Sequence, residues 1–415
     1  MRPCLLFVLF ISLICSSCND EETYEIIDVF PEGSKDSASI TGLPIIVITT
    51  DDGVGITNKD TWKTGCLTIE GDYCVHGFSD SILIKGRGNA SFHYPKKSFT
   101  LKFNRKQSLL GMSKHKRWVF QANYHDRTLL RNALTFHLSH FSDKMEWNPH
   151  AEFAEVILNG EHIGNYLVCE QIRVDQNRVP IETNSTNDED CGFLFEYDYY
   201  YDTKPRFRST ISHFPICIKY PDEDECRDSQ LMYAREFIER IEVSLHTHNF
   251  NKLFDEYIDF GSFVDYWIIM TITGNIEPAK PRSVYCYKKP SGKLFAGPLW
   301  DFDFSTYKDL EGTDNQDVLY YTWLFKSQFF RDRVKERWKE LYPVLRQEAV
   351  DYIMLKSVYL SKSEEINHEL WPIVFPYLKK CENGDELLPY QEAIDNLLRI
   401  TLARMDYIDG FVQKL

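Results

Sequence analysis

Asp301 and Asp303 stand two positions apart in Trp300-Asp301-Phe302-Asp303, so in an extended segment both carboxylates point to one side. Held side by side they repel, and a divalent cation is one way to keep them together. The ordinary alternative is that one of them caps the next helix while the other is solvated. Upstream lies a polar loop, Gly274-Asn275-Ile276-Glu277, followed by Pro281-Arg282-Ser283 and a hairpin built from Val284-Tyr285-Cys286-Tyr287 and Lys293-Leu294-Phe295-Ala296. Glu277 offers a carboxylate that can accept a proton. Far earlier in the chain, Lys96-Lys97 precedes an alternating segment whose Phe99, Leu101 and Phe103 share one face. Lys97 falls on that face and can reach inward toward a phosphate, although a surface lysine pair is the commoner meaning.

These groups need a scaffold, and the pattern supplies strands first and helices later. Short alternating or apolar runs at 45–49, 66–69, 81–85 and 98–103, bounded by Gly, Asp and Pro, predict strands. A helix is expected from Asp126, since Leu129, Leu130, Ala133, Leu134 and Leu138 recur at helical spacing behind an acidic residue. Asn159-Gly160 between two apolar runs predicts a hairpin over 153–168, and 193–196 returns to strand. Beyond Asp228 the periodicity predicts helices at 234–244, 260–272, 329–347 and 394–411. The fold class is therefore α+β, with a sheet-rich first half and a helical second half. A chain of 415 residues exceeds the roughly 250–300 at which a single core stops growing. Two lobes are expected: 43–182, rich in sheet, and 183–415, mostly helical and carrying the carboxylate pair.

Loop, hairpin and Asp-Phe-Asp follow the order in which protein kinases place a catalytic loop, a hairpin and a metal-binding Asp. The lysine-bearing strand, the helix and the hairpin leading into Cys169-Glu170-Gln171 match the order of a kinase small lobe and hinge. Ile84-Lys85-Gly86-Arg87-Gly88-Asn89-Ala90-Ser91 with Tyr94-Pro95-Lys96-Lys97-Ser98-Phe99, the stretch Trp118 to Asn132, Leu158-Asn159-Gly160-Glu161-His162-Ile163-Gly164-Asn165-Tyr166, and Trp300-Asp301-Phe302-Asp303 together resemble the CotH (spore coat protein H) kinases over about residues 80 to 340. The resemblance implies an atypical, bilobal protein-kinase-like fold that binds ATP with Mg²⁺ or Mn²⁺ and phosphorylates Ser of proteins outside the cytoplasm. It makes Asp301 a metal ligand and catalytic residue, with Asp303 sharing the metal; where many members read Asn-x-Asp this chain has Asn275-Ile276-Glu277, and Glu277 can still accept a proton as the base. Arg87, Lys97 and Arg131 become candidates for the phosphates, with a structural ion pair on the inner face of its helix as the alternative for Arg131, and Glu170 and Gln171 for the nucleotide edge. The chain departs from the family where Arg282-Ser283 stands in place of a metal-binding Asn, which implies the loss of one metal ion. Weak transfer, altered chemistry and a nucleotide-binding pseudokinase all remain open.

Composition sets the surroundings. With 43 % hydrophobic and 14 % aromatic residues the body is globular, and a formal charge of −15 argues against a nucleic-acid partner, which demands a basic surface. Met1-Arg2 and the apolar run from Leu5 to Ile14 read as a secretory leader over residues 1–17, since a membrane span needs roughly 20 apolar residues. Cys18 is expected to carry a lipid anchor, the protein's one tie to a membrane, and 18–42 to form an acidic tether. Asn19-Asp20-Glu21-Glu22 resembles the acidic signal of Bacteroidota surface lipoproteins, which puts the protein at the outer membrane or cell surface. Of eleven cysteines, Cys66 with Cys74, or Cys217 with Cys226, are near enough in sequence to pair. Two other functions compete: a surface adhesion or scaffold protein that binds glycans or peptides through the cluster Tyr197-Asp198-Tyr199-Tyr200-Tyr201, and a glycoside hydrolase using Asp301 and Glu277, which would have to lie about 5–10 Å apart.

Overall fold

The computed structural model describes residues 41–70, 78–89, 91–183, 190–308, 314–374, 377 and 383–415. The leader, Cys18, most of the tether, Cys74 and Cys381 lie outside the described residues. Seven strands, β1 (Ile45–Thr50), β2 (Lys63–Glu70), β3 (Phe78–Arg87), β4 (Ser98–Gln107), β5 (His115–Gln121), β6 (Ala151–Leu158) and β7 (Glu161–Glu170), close into a barrel in the order β1-β2-β3-β4-β5-β7-β6. All neighbours are antiparallel except the closing pair, in which β1 runs parallel to β6. Alternation explains the filling: Ile82, Ile84, Phe99, Leu101, Trp118 and Phe120 point inward and are buried, as expected for a barrel small enough to be filled by its own side chains. On β4 the opposite face carries Ser98, Thr100 and Lys102, whereas on β5, β6 and β7 it carries Val119, Phe153, Leu167 and Cys169 into the other core. The register puts Lys85 beside Thr100 and Arg87 beside Ser98 on the outside of β3 and β4. Asn159 and Gly160 take positive φ of 52° and 85° and make the predicted hairpin turn between β6 and β7.

The second half is not simply helical. Strands β8 (Phe193–Tyr197), β9 (Arg206–Arg208), β10 (Pro215–Tyr220), β11 (Val284–Lys288) and β12 (Leu294–Ala296) form a separate antiparallel sheet in the order β12-β11-β8-β10-β9. Around it pack α1 (Arg131–Ser139), α2 (Asp228–His246), the single turn α3 (Phe250–Lys252), α4 (Phe260–Thr273), the short α5 (Tyr321–Leu324), α6 (Gln328–Leu370) and α7 (Tyr390–Val412). One large core joins Phe195 and Ile218 of the sheet to Ile238 of α2, Trp267 of α4, Leu345 of α6 and Leu397 of α7. The helix expected from Asp126 starts at Arg131. Leu129 adopts φ 61°, and the Asp126 carboxylate accepts the N–H of Thr128 at 3.0 Å and of Arg131 at 2.8 Å, so it caps the helix from a preceding turn. Cys217 and Cys226 are both free, against the expected pairing: Cys217 is buried within β10 and Cys226 precedes α2. Among the described residues no helix is long and apolar enough to cross a membrane.

Helix α6 is far longer than its expected span because its buried stripe, Phe330, Val334, Trp338, Leu341, Leu345, Ala349, Ile353 and Leu360, keeps its helical spacing past Gln347. Its far end reaches the barrel. There Asn165 donates to Ser363 Oγ at 2.9 Å, and Asn367 Oδ1 accepts from the backbone of Asn165 at 3.2 Å and from Lys96 Nζ at 2.7 Å. Lys96 is buried, with further bonds to the carbonyls of Ala122, at 3.0 Å, and Asn165. Burial pushes its ammonium down to about 7, opposed by the charge of Glu155. The folded protein thus sheds this proton near pH 7 while the unfolded chain keeps it to 10.5. In that window the unfolded state binds more protons, so stability rises with pH. Urea titrations between pH 7 and 9.5 are expected to show a gain of a few kcal/mol that is missing in Lys96→Met; parallel pH profiles for the two proteins would sink this.

Candidate functional site

A cleft of about 690 Å³ lies between the outer face of β3, β4 and β5 and the loops that follow β8, α4 and β12. Each wall is held by identifiable devices. On the barrel side the chain leaves β3 through Gly86-Arg87-Gly88. A Cβ on Gly86 would sit 2.2 Å from the Phe92 ring, and one on Gly88, at φ 102°, would meet Ser91 Oγ at 2.0 Å. The loop therefore folds back on itself only with glycines at both places. Gly88→Ala is expected to lose about 1 kcal/mol or more and to displace Arg87, read as a lower melting temperature; an unchanged one would refute the strain assigned to this turn. On the opposite side α4 ends at Gly274, φ 61°. Arg404 of α7 packs against it and donates from Nε to the carbonyls of Thr271 at 3.0 Å and Ile272 at 2.9 Å, satisfying the helix's last acceptors. That fixes where the loop carrying Glu277 begins. Asn275 is buried, and its Oδ1 accepts the N–H of Glu277 at 2.8 Å.

The segment 299–307 has no regular hydrogen-bond ladder, and three asparagines supply one. Asn148 accepts from the backbone of Leu299 at 2.9 Å, Asn132 from Phe302 at 2.6 Å and Asn383 from Ser305 at 2.7 Å. Asp301, Ser305 and Tyr307 take positive φ of 73°, 58° and 47°, a region that costs a non-glycine residue about 1–2 kcal/mol. The bend of Asp301, and not an extended strand, is what turns Asp301 and Asp303 both into the cleft. Ser283 Oγ donates to Asp301 Oδ2 at 3.3 Å. Arg282 Nη2 lies 3.1 Å from Glu277 Oε1. Arg87 stacks on the Trp300 ring at 4.9 Å, so the barrel wall touches the carboxylate segment directly.

Electrostatically the three acids oppose one another. Burial, then the charges of Asp301 and Asp303, push Glu277 up to about 8, and Arg282 works the other way. Burial and Asp301 push Asp303 up to about 8. Asp301 is raised by burial, against Arg87, Ser283 and Arg282. Farther along the cleft, burial and the neighbouring carboxylates raise Asp198 to about 6, while Glu196 is tied to Lys219 at 3.0 Å and accepts from Tyr285 OH at 2.7 Å. Such a concentration of displaced proton affinities in a cleft marks functional sites. Among the described residues, buried polar atoms of the cleft lining without a hydrogen-bond partner include Glu277 Oε2, Arg282 Nε and Gln121 Oε1. Among the described residues no three His, Cys, Asp or Glu side chains converge to hold an ion by themselves.

Arg87, Glu277, Asp301 and Asp303 are thus brought to one cleft, and four other candidates are not. Lys97 shares the Phe99 face, but that face is the barrel interior. The cleft lies against the other one, and Lys97 Nζ instead donates to the carbonyls of Phe92 at 2.9 Å and Tyr94 at 3.0 Å. Arg131 is wholly buried between Asp126 and Asp385, 2.5 Å from each. Glu170 is wholly buried beside Arg178 at 2.5 Å. Gln171 does not line the cleft either. The Lys and Arg side chains that do line it are Lys59, Lys85, Arg87, Lys219 and Arg282; strand alternation already puts Lys85 on the same face as Arg87. The tyrosine cluster divides: Tyr197 is buried against Tyr320 OH at 2.7 Å, whereas Tyr199 and Tyr200 are 53 % and 48 % exposed at the rim.

A family model described as CotH kinase protein matches residues 84–356, from β3 into α6. No curated protein matches the chain.

Proposed function

The chain belongs to the CotH kinase family, and from that premise we propose that the cleft binds ATP with Mg²⁺ or Mn²⁺ and transfers the terminal phosphate to a serine hydroxyl of a protein. The observation that carries this is the arrangement of the cleft: cations Lys59, Lys85 and Arg87 on the barrel wall face the carboxylates Glu277, Asp301 and Asp303 on the other, where Arg282 stands beside Glu277. Phosphate oxygens need the first set and a divalent cation needs the second. The unpartnered atoms on Glu277, Arg282 and Gln121 fit the same occupant, since a buried polar group without a partner is costly. Asp301 and Asp303 would hold the ion, which supplies charge neutralisation at the phosphates.

In the transfer the serine oxygen attacks the terminal phosphorus, the bond from that phosphorus to the bridging oxygen breaks, and ADP leaves with the electron pair. Glu277 accepts the hydroxyl proton, Arg282 favouring its ionised form. Lys59, Lys85 and Arg87 hold the phosphates in line, and Trp300 keeps Arg87 in place. We place the barrel and the second sheet with its helices as the two lobes of a kinase-like body. The apolar run before Cys18 supports export and a lipid anchor there, at the outer membrane or cell surface, with a protein substrate outside the cytoplasm.

Thermal-shift titration tests the site. ATP with Mg²⁺ or Mn²⁺ is expected to raise the melting temperature, by about 2.7 kcal/mol of stabilisation at a hundredfold excess over Kd, and ATP alone far less. No shift at millimolar nucleotide with either metal would overturn nucleotide binding; transfer is read separately, with ATP labelled in its terminal phosphate. Loss of palmitate labelling in Cys18→Ala checks the anchor. A second function, a binding protein, has the exposed Tyr199 and Tyr200 behind it, and glycan-array binding without any nucleotide shift would favour it.

A further inference from the structure

We infer that Arg282 occupies the place of a second divalent cation, so that the site takes one ion per nucleotide, at Asp301 and Asp303, with a fixed guanidinium as the other positive charge. This rests on the nucleotide function proposed above. Protein kinases hold two ions, one on the Asp that follows the hairpin and one on an Asn of the catalytic loop. In this chain the loop offers no such Asn. Asn275 is buried, and its side-chain oxygen is engaged by the backbone N–H of Glu277. The residues that reach the carboxylates are Arg282, 3.1 Å from Glu277 Oε1, and Ser283, whose hydroxyl meets Asp301 Oδ2 at 3.3 Å.

Three features fit a guanidinium as substitute for an ion. Its guanidinium stands against the Glu277 carboxylate, 3.1 Å from Oε1, a positive charge where a bound metal would otherwise balance that carboxylate. Its Nε is buried with no protein partner, leaving a donor for a phosphate oxygen, and arginine binds such oxygens in a planar fork. Finally, no three acidic, His or Cys side chains among the described residues converge on an ion. The first ion must therefore draw ligands from the phosphates, and a second would have to sit against a permanent positive charge.

The test counts ions. The full chain is saturated with an ATP analogue whose terminal phosphate cannot transfer, Mn²⁺ is titrated in, and free Mn²⁺ is followed by electron paramagnetic resonance. One bound Mn²⁺ per nucleotide is expected for the native protein, and a second for Arg282→Asn, whose melting temperature is checked in parallel. Two ions in the native protein would overturn the inference while leaving nucleotide binding intact. So would a single ion in an Arg282→Asn protein that folds and binds nucleotide. Absence of any Mn²⁺-dependent nucleotide binding by the native chain would remove the function on which the inference rests and the inference with it. Should Arg282→Asn fail to fold, the native stoichiometry alone decides.

Discussion

Asp301→Asn is expected to abolish the metal-dependent rise in melting temperature with ATP and to lower phosphoryl transfer by ~10²–10³-fold, while the ligand-free protein melts higher than the native one. Both effects come from one carboxylate. Burial raises the proton affinity of Asp301, so above the unfolded pKa its ionisation favours the unfolded chain. A neutral amide lifts that penalty, by about 1 kcal/mol or more. Asparagine also tolerates the left-handed conformation at φ 73° better than most residues, which makes it a cleaner replacement than alanine. What it lacks is the charge that holds an ion. Differential scanning fluorimetry with and without Mg²⁺ and ATP reads both effects; a variant that keeps the metal-dependent shift would mean the ion is held elsewhere.

Arg131→Met is expected to be the most damaging single change to stability, about 3–5 kcal/mol, and to act without any ligand. Arg131, Asp126 and Asp385 are all inaccessible to solvent, and Arg131 Nε also donates to the carbonyl of Thr306 at 3.3 Å. Removing the guanidinium leaves two buried carboxylates without a counter-charge. Adding Asp126→Asn should recover part of the loss, since it removes one of them. Chemical denaturation of the single and double variants measures this. A single variant within about 1 kcal/mol of native would show that the cluster relaxes or hydrates instead. Arg87→Ala should behave oppositely, with little change in ligand-free stability and a loss of nucleotide affinity, because Arg87 lines the cleft and stacks on Trp300.

What could be read from sequence was what has a local cause. Phe99, Leu101 and Phe103 alternate and fill the barrel; Asn159-Gly160 turns where it must; Glu277, Asp301 and Asp303 follow one another in a recognisable order and share a cleft. Lys97 shows where such reasoning stops. Alternation assigns a residue to a face, but only the barrel's closure says which face is core and which meets a ligand. Arg131 and Glu170 read as binding residues in the sequence because their carboxylate or guanidinium partners, Asp385 and Arg178, carry no mark there that pairs them. Asn132, Asn148 and Asn383 were missed for a related reason: each bonds a backbone amide of 299–305 that is distant in the chain. The second sheet is only half visible, since β9 spans three residues and β8 pairs with β11 across β9, β10 and the three helices α2, α3 and α4.

The closure of the barrel bears on how the chain must be made. Among the described strands β1 is the first to leave the ribosome, and its parallel partner comes more than a hundred residues later, Ile45 lying opposite Glu155. Until β6 is synthesised, β1 can pair only with β2, and its other edge stays open as a template for a foreign strand. A contact so distant in sequence forms slowly because the loop between must be closed first. The growing chain therefore passes through a stage in which an apolar sheet with an unpaired border is exposed. A fragment ending before Ala151 would remain at that stage, as an open sheet and not a smaller barrel.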